Sequence, residues 1–470
     1  MMKQINKFSG AWMRRALLLG VVLLLLIGLS GVVIQKKRTS IYPYEVEQDY
    51  HYNLNAFPSI EIEVSGGEIT LPDTLGPNYT ALLKLNIEST TMGKLFQPAL
   101  RMKSGKTELI QYFEHGAKGG RYINLSSLIG QGATQIELLG ENITFGDQTG
   151  TLTLFENPVS PESKVLVISP HPDDAEIAAY GLYSRYPDAF VLTVTAGEAG
   201  DLKYDELYTD TLSHQLKIGQ IRTWNSVTVP LLAGIAPENA LNFGFFDGTL
   251  KLMYERNPSE VESRQIGTTD INTFRRFNIS PLEDSLRGGA NWDALVENLK
   301  LILIRVDPDI IVTPYPALDT HDDHKYASVA LFQALRDLKI RKGNLLLYSN
   351  HYVANEYYPY GKTGGVVSLP PNFVDDIYFK GVYSCSLPAS MQGDKVLALE
   401  SMNDLRPDTE WRFSENALSN SIDRIKTEVT GKENSYFKRA VRSNELFFVV
   451  PIQDIYTNTF LNELMGGNAI

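Results

Sequence analysis

The sequence predicts an open α/β fold preceded by an all-β sandwich and an N-terminal membrane-spanning helix, and three observations carry that prediction. Two short apolar runs rich in β-branched residues, Lys164–Ser169 and Asp309–Pro314, each lead through an acidic loop into a helical pattern. Upstream, from Thr39 to Pro158, short alternating runs are separated by Gly, Asn, Asp and Ser turns, the pattern of an antiparallel sandwich. At the N-terminal end, Ala16–Ile34 carries no charge and only one hydroxyl, Ser30.

Residues 1–15 form a basic tail holding Lys3, Lys7, Arg14 and Arg15. The run 16–34 follows, and at roughly 1.5 Å per residue it is long enough to cross a hydrocarbon core. A cleaved signal would end at small residues; Gly28 and Ser30 are a weak exit and apolar residues continue past them, so the run reads as an uncleaved signal-anchor helix. The only cysteine is Cys385, which excludes acylation at this segment and any internal disulfide. A short basic tail stays inside, so the expected arrangement is a single-pass membrane protein with its bulk outside the cytoplasm, periplasmic or at the cell surface. Lys36, Lys37 and Arg38 on the other side of the span leave the reverse topology open.

The β unit, 39–158, contains the runs Ile60–Val64, Tyr79–Glu88, Glu108–Phe113, Tyr122–Leu125, Gln135–Leu139 and Gly150–Phe155. The remainder, 159–470, reads as one α/β unit with a mostly parallel sheet. Its helices are predicted at Ile177–Arg185 and Lys325–Lys339, and a further strand at Ala189–Val194.

Two strings stand at the strand-to-helix junctions: SPHPDDAE at Ser169–Glu176 and DTHDDH at Asp319–His324. Together they place three of the seven histidines and five aspartates in two loops. In an open α/β sheet such loops gather at the carboxyl ends of the strands, where these folds bind ligands, so distance in sequence is no obstacle to one shared site. Neutral imidazole and carboxylate suit divalent zinc, and a catalytic ion keeps three protein ligands and one open position. An unligated carboxylate can then act as general base and a spare histidine can protonate a leaving amine. Spacing does not say which of Asp173, Asp174, Asp322 and Asp323 is ligand, base or bystander. For one loop alone, an aspartate capping the following helix beside an ordinary turn at Pro172 would serve as explanation. Two such loops in a chain so poor in histidine favour a metal site.

The strings resemble the signatures of the PIG-L/LmbE-like de-N-acetylase family, a strand followed by HPDDxE and later by HxDH, present here as HPDDAE and HDDH. The resemblance implies a Rossmann-like domain and a zinc-dependent hydrolase that removes acetyl groups from N-acetylglucosamine-type sugars. It implies one Zn2+ held by His171, Asp174 and His324, with Asp173 as general base and His321 protonating the departing amine. It also suggests substrate contacts for Arg222 in IGQIRTW and Asp247 in FGFFDG. The plainer readings are a snorkelling helix arginine and a turn-forming Asp-Gly pair. The chain departs from the family after the first string, where the usual IGxGG is Ile177, Ala178, Ala179, Tyr180 and Gly181, which implies a differently shaped pocket wall. The long stretch 201–292 reads in part as an inserted loop over the site.

A net charge of −12 argues against nucleic-acid binding. The expected function is a membrane-anchored de-N-acetylase acting on an N-acetylated sugar of a cell-envelope glycan or glycolipid and releasing acetate. A metal-dependent phosphoesterase is the first alternative, although a two-metal site would want further ligand clusters. The second is a glycan-binding protein with a vestigial metal site, in which Tyr112, Phe113 and Tyr122 of the β unit would stack on sugar rings or simply fill the core.

Overall fold

A computed structural model of the chain describes residues 15–21, 38, 40–203, 207–374, 377–405, 425, 428–433 and 435–457. The first strands are β1 (Ser59–Val64), β2 (Glu68–Thr70), β3 (Tyr79–Ser89), β4 (Ala99–Ser104), β5 (Thr107–Tyr112), β6 (Lys118–Asn124), β7 (Gln135–Glu141), β8 (Ile143–Thr144) and β9 (Gln148–Glu156). They build two antiparallel sheets, β1-β9-β3-β6 with β8 paired to β3, and β2-β7-β4-β5. Apolar side chains of both sheets close on one core, Ile62, Leu83, Leu85 and Leu152 from the first against Ile69, Leu100, Met102 and Leu138 from the second. The period-two alternation of β3 also gives the first sheet a second apolar face, because Leu82 points the other way, into the core of the following unit. Tyr122 and Phe155 join Leu82 there, and Phe113 is buried as well, so neither Phe113 nor Tyr122 offers a free ring.

The second unit begins with β10 (Val165–Ser169) and continues with β11 (Phe190–Thr195), β12 (Ala240–Phe245), β13 (Ile310–Pro314), β14 (Asn344–Tyr348), β15 (Gly381–Ser386) and β16 (Asn444–Pro451). The sheet order is β12-β11-β10-β13-β14-β16-β15, with the first five strands parallel. β16 runs antiparallel to both of its neighbours, so the sheet is mixed. Residues of β10, β11, β12 and β13 are buried along their whole length, as strands covered on both faces require. The helices that matter for the site are α1 (Asp174–Tyr183), α2 (Thr211–Thr228), α3 (Trp292–Val306), α4 (Asp322–Asp337), α5 (Ala389–Ser401) and α6 (Tyr436–Ala440). The stretch 201–292 is thus more than an inserted loop, since it supplies α2 and the edge strand β12. The two units pack directly, with Thr80 accepting the Ser384 amide at 2.9 Å and Asn124 Nδ2 donating to Val367 O at 2.8 Å.

The membrane-spanning helix expected at 16–34 is not supported. Among the described residues no helix is long and apolar enough to cross a membrane. Only 15–21 are described as helical there, about 10 Å of helix against a core of about 30 Å, while 22–34 and most of the basic tail lie outside the described residues. The single-pass assignment, the membrane as partner and the extracytoplasmic placement that rested on it are withdrawn.

Candidate metal centre

Five parallel strands end on the same side of the sheet, and the loops after β10, β11, β12, β13 and β14 all contribute to one cluster. The loop after β10 is held by Thr195, whose amide and hydroxyl both donate to Pro170 O, at 3.0 and 2.9 Å. Asp173 then takes a φ of 134°, a region that L residues rarely occupy, and stands at the head of α1 without making a capping hydrogen bond. The capping explanation for this aspartate therefore falls away, and its carboxylate is left for other work. At the second junction His321 is the cap instead, its Nδ1 accepting the Asp323 amide at 3.3 Å.

Three donor atoms converge. Asp174 Oδ2 lies 3.3 Å from His171 Nδ1 and 3.1 Å from His324 Nε2, and the two nitrogens are 3.2 Å apart. Ligands of a four-coordinate ion bonded at about 2.0–2.2 Å sit about 3.3–3.5 Å from one another, so the spacing suits one such ion. The outer partners decide what those atoms present. His324 Nδ1 donates to Asp319 Oδ2 at 3.0 Å, and His171 Nε2 faces Asp323 Oδ2 at 3.3 Å and Asp247 Oδ1 at 3.4 Å. Each imidazole thus directs its proton outward to a carboxylate and a lone pair inward, the arrangement in which carboxylates orient metal-ligating histidines. Two lone pairs and a carboxylate oxygen then face each other in a buried space, an arrangement that calls for a cation.

Electrostatics shows the same demand. Burial works against charge on His324, but Asp174 and Asp319 outweigh it and push the imidazole up to about 10. Burial likewise opposes charge on Asp174, and His324 and His171 more than offset it, holding the carboxyl well below the usual range. His171, His321 and His324 also bring one nitrogen each within 4.8 Å, and His171, Asp247 and Asp323 do so with one atom each. In the second set Asp323 accepts the Gly248 amide at 2.6 Å and the Leu250 amide at 3.1 Å, as Asp174 accepts the His171 amide at 2.9 Å.

Around the tripod, the His321 ring stands edge-on to His171 with centroids 4.6 Å apart, and burial together with His171 and His324 pulls its basicity down. Asp173 is partly buried, its side chain 13% exposed; desolvation and Asp404 raise its carboxyl well above the usual range in spite of Arg222 at 3.7 Å. Arg222 is itself buried, not a surface arginine. It donates to Gly197 O at 2.8 Å and Pro172 O at 3.2 Å and pairs with Asp404 at 2.8 Å. Gly197 has to be glycine here, since at φ +65° a Cβ would sit 2.7 Å from the guanidinium carbon. Asp247 is more than a turn residue, because it reaches His171.

Several residues escaped the sequence reading. Asp319 accepts the Asn350 amide at 3.2 Å besides its bond to His324, and Asn350 Nδ2 donates to Asp174 Oδ1 at 2.7 Å. Glu198, after β11, accepts from Ser263 Oγ at 2.7 Å and the Asp247 amide at 3.0 Å, and burial pushes it up to about 7. His351, after β14, brings a fourth imidazole to within 5.1 Å of the His324 ring. Asp319 lies in the second string and so was in view; Asn350 and His351 sit in no motif. Of the departures from the family pattern, Tyr180 turns into the core against Tyr183, while Ala178 does line a cavity.

Residues 166–335 match the family model described as PIG-L: GlcNAc-PI de-N-acetylase. Among solved structures, the chain is similar to an N,N'-diacetylchitobiose deacetylase from Pyrococcus horikoshii, with 17% identity and a TM-score of 0.33 over 64% of this chain and 89% of that one. It is also similar to the teicoplanin deacetylase Orf2, with 19% identity and a TM-score of 0.34 over 61% of this chain and 98% of that one. No curated protein matches the chain. With both signature loops meeting in one cluster inside the matched segment, the chain carries at residues 166–335 a domain of the PIG-L de-N-acetylase family.

Proposed function

We propose that the protein is a zinc-dependent de-N-acetylase that hydrolyses the acetamide of an N-acetylated sugar, within a glycan or glycolipid, and releases acetate. The observation that carries this reading is the tripod of His171 Nδ1, Asp174 Oδ2 and His324 Nε2 at 3.1–3.3 Å, with both imidazole protons directed outward. The donor set of two imidazoles and one carboxylate fits zinc, and when bound the ion supplies a Lewis acid for the acetamide carbonyl and makes water more acidic.

The chain's own residues supply the proton movements. Asp173 is raised by burial, makes no cap, and serves as the base that accepts a proton from the attacking water. His321, half-buried and less basic than a free imidazole, delivers a proton to the departing amine nitrogen. Asp319 and Asn350 hold His324 and Asp174, and Asp323 and Asp247 hold His171. In this reading Arg222 steadies the loop of Asp173 through Pro172 O and Gly197 O, because its inward bonds leave it little to offer a substrate. Asp247, with His171 on its carboxylate, orients a ligand in the same way.

The same reading divides the chain into a β-sandwich at 39–158 and a catalytic unit at 159–470, which the separate sheets support. Incubating the full chain with zinc and a panel of N-acetylated sugars should release acetate in a chelator-sensitive way. Release of phosphate from phosphoesters with no acetate from any sugar would replace this proposal with the phosphoesterase reading.

A further inference from the structure

The space behind Asp174 has no part in the chemistry above. A cavity of about 110 Å³ lies there, lined by Ala178, Lys395, Tyr436, Arg439, Arg442 and Glu445 among others. Asn350 also lines it and at the same time donates to Asp174 Oδ1 at 2.7 Å, so one side chain separates cavity from metal centre.

Its walls carry more positive than negative charge. Lys395 and Glu445 pair at 2.8 Å and cancel, and Glu445 is further held by the amides of Gly181 and Leu182 at 2.8 and 2.9 Å. Arg442 is 2% exposed and, among the described residues, bonded only to carbonyls, those of Pro359, Tyr360, Gly361, Lys362 and Arg439. Arg439 is 5% exposed, and its terminal nitrogens reach Glu356, but its Nε has no hydrogen-bond partner among the described residues. A buried N–H left unbonded is unfavourable, more so on a charged group, and favours an anion nearby. Size narrows the choice. A cavity of about 150 Å³ holds benzene, so this smaller space suits a ligand of four or five heavy atoms and no sugar ring.

We propose that this cavity binds a small carboxylate, and that acetate produced at the metal centre is the occupant; the second part rests on the de-N-acetylase reading. Arg439 and Arg442 supply the positive charge beside the carboxylate, while Ala178, where the family places a glycine-rich turn, sets the width of the wall.

The test is calorimetric titration of the full, metal-loaded chain with acetate, repeated after chelation. The wild-type protein should show an acetate site that survives chelation, and Arg439→Met should weaken that site at least tenfold. Ala178→Leu keeps Arg439 and a good helix former but fills the space, and it should weaken the site similarly, so the proposal stays testable if the arginine variant misfolds. Acetate affinity unchanged in both folded variants, or binding that vanishes altogether with the metal, would overturn the proposal. Phosphate competing as well as acetate would overturn the carboxylate assignment. The acetate-release assay separates the two readings: a cavity that binds acetate in a protein that deacetylates no sugar defeats the proposed function and leaves the site, whereas active enzyme without cavity binding does the reverse.

Discussion

Two buried clusters in this molecule are made from the same materials, histidine and carboxylate, and they behave oppositely. In the β-rich half, Glu114 and His115 are almost fully buried beside Arg121 and a group of tyrosines. Glu114 accepts from Tyr50, Tyr44 and Arg121, and His115 is bonded to Tyr42 at 3.1 Å and to Glu428 O at 2.9 Å. Every acceptor there meets a donor carried by the protein. At the sheet edge of the α/β half, the acceptors of His171, Asp174 and His324 meet one another, and the donors have been led away to Asp319, Asp323 and Asp247. Burial of ionisable groups is therefore no guide to function by itself. What distinguishes the metal centre is that its inward-facing atoms are lone pairs: among the described residues the donor held to them is the His171 amide, on Asp174 Oδ2 at 2.9 Å, which leaves the two imidazole nitrogens facing a carboxylate oxygen.

The contrast can be broken most sharply at His324. Replacement by Ala should remove the metal and lower acetate release at least about a hundredfold, a larger effect than loss of an outer partner. Metal still bound stoichiometrically, by elemental analysis of that variant, would show that the tripod is not the ligand set. Asp173→Asn should keep the metal and lower kcat by about 10²- to 10⁴-fold, as expected for loss of a general base; full turnover would transfer that role elsewhere.

On the other side of the comparison, Glu114→Gln should leave metal content unchanged while costing about 3–5 kcal/mol in urea unfolding, since it strips the carboxylate from a buried guanidinium. The smallest effect is one of pH. Burial, helped by Arg38, holds His115 down to about 4 in the folded chain, against about 6.5 when free. The stabilising preference for neutral imidazole is complete above about pH 6.5, and it is lost as the pH falls toward 4, because the unfolded chain takes up a proton that the native one refuses. The loss amounts to about 3 kcal/mol at most, and unfolding curves of His115→Gln against the parent between pH 7 and 4.5 should converge on that difference. A parallel pair of curves would mean that His115 titrates freely.

Legibility followed the range of the interactions involved. Alternation along the chain located β1, β3, β5 and β9 within a residue or two, because a pleated strand with one buried face writes its period directly into sequence. β12, β14 and β15 were not recognised: they are short runs whose burial comes from neighbours far away in sequence. The two acidic, histidine-bearing loops stood out because chemistry concentrated there, whereas the surroundings of Arg222 and Asp247 were not legible. A guanidinium looks the same in sequence whether it faces substrate or is closed in by Pro172, Gly197 and Asp404. The apolar stretch at 16–34 erred in the other direction: hydropathy speaks for composition, and among the described residues no helix is long and apolar enough to cross a membrane.

Sequence alone determined the two signature loops, the kinds of donor they carry and the strand-to-helix junctions that hold them, all of which are properties of residues a few positions apart. Tertiary structure decided which atoms meet. The parallel order β12-β11-β10-β13-β14 brings five loops to one edge, so that Asp319 orients His324, Asn350 holds Asp174, and Asp323 and Asp247 turn His171. The cationic cavity behind Asp174 likewise draws its walls from α1, α5, α6 and the ends of β14 and β16. Such convergence depends on pairing between distant strands, and no local pattern in the chain records it.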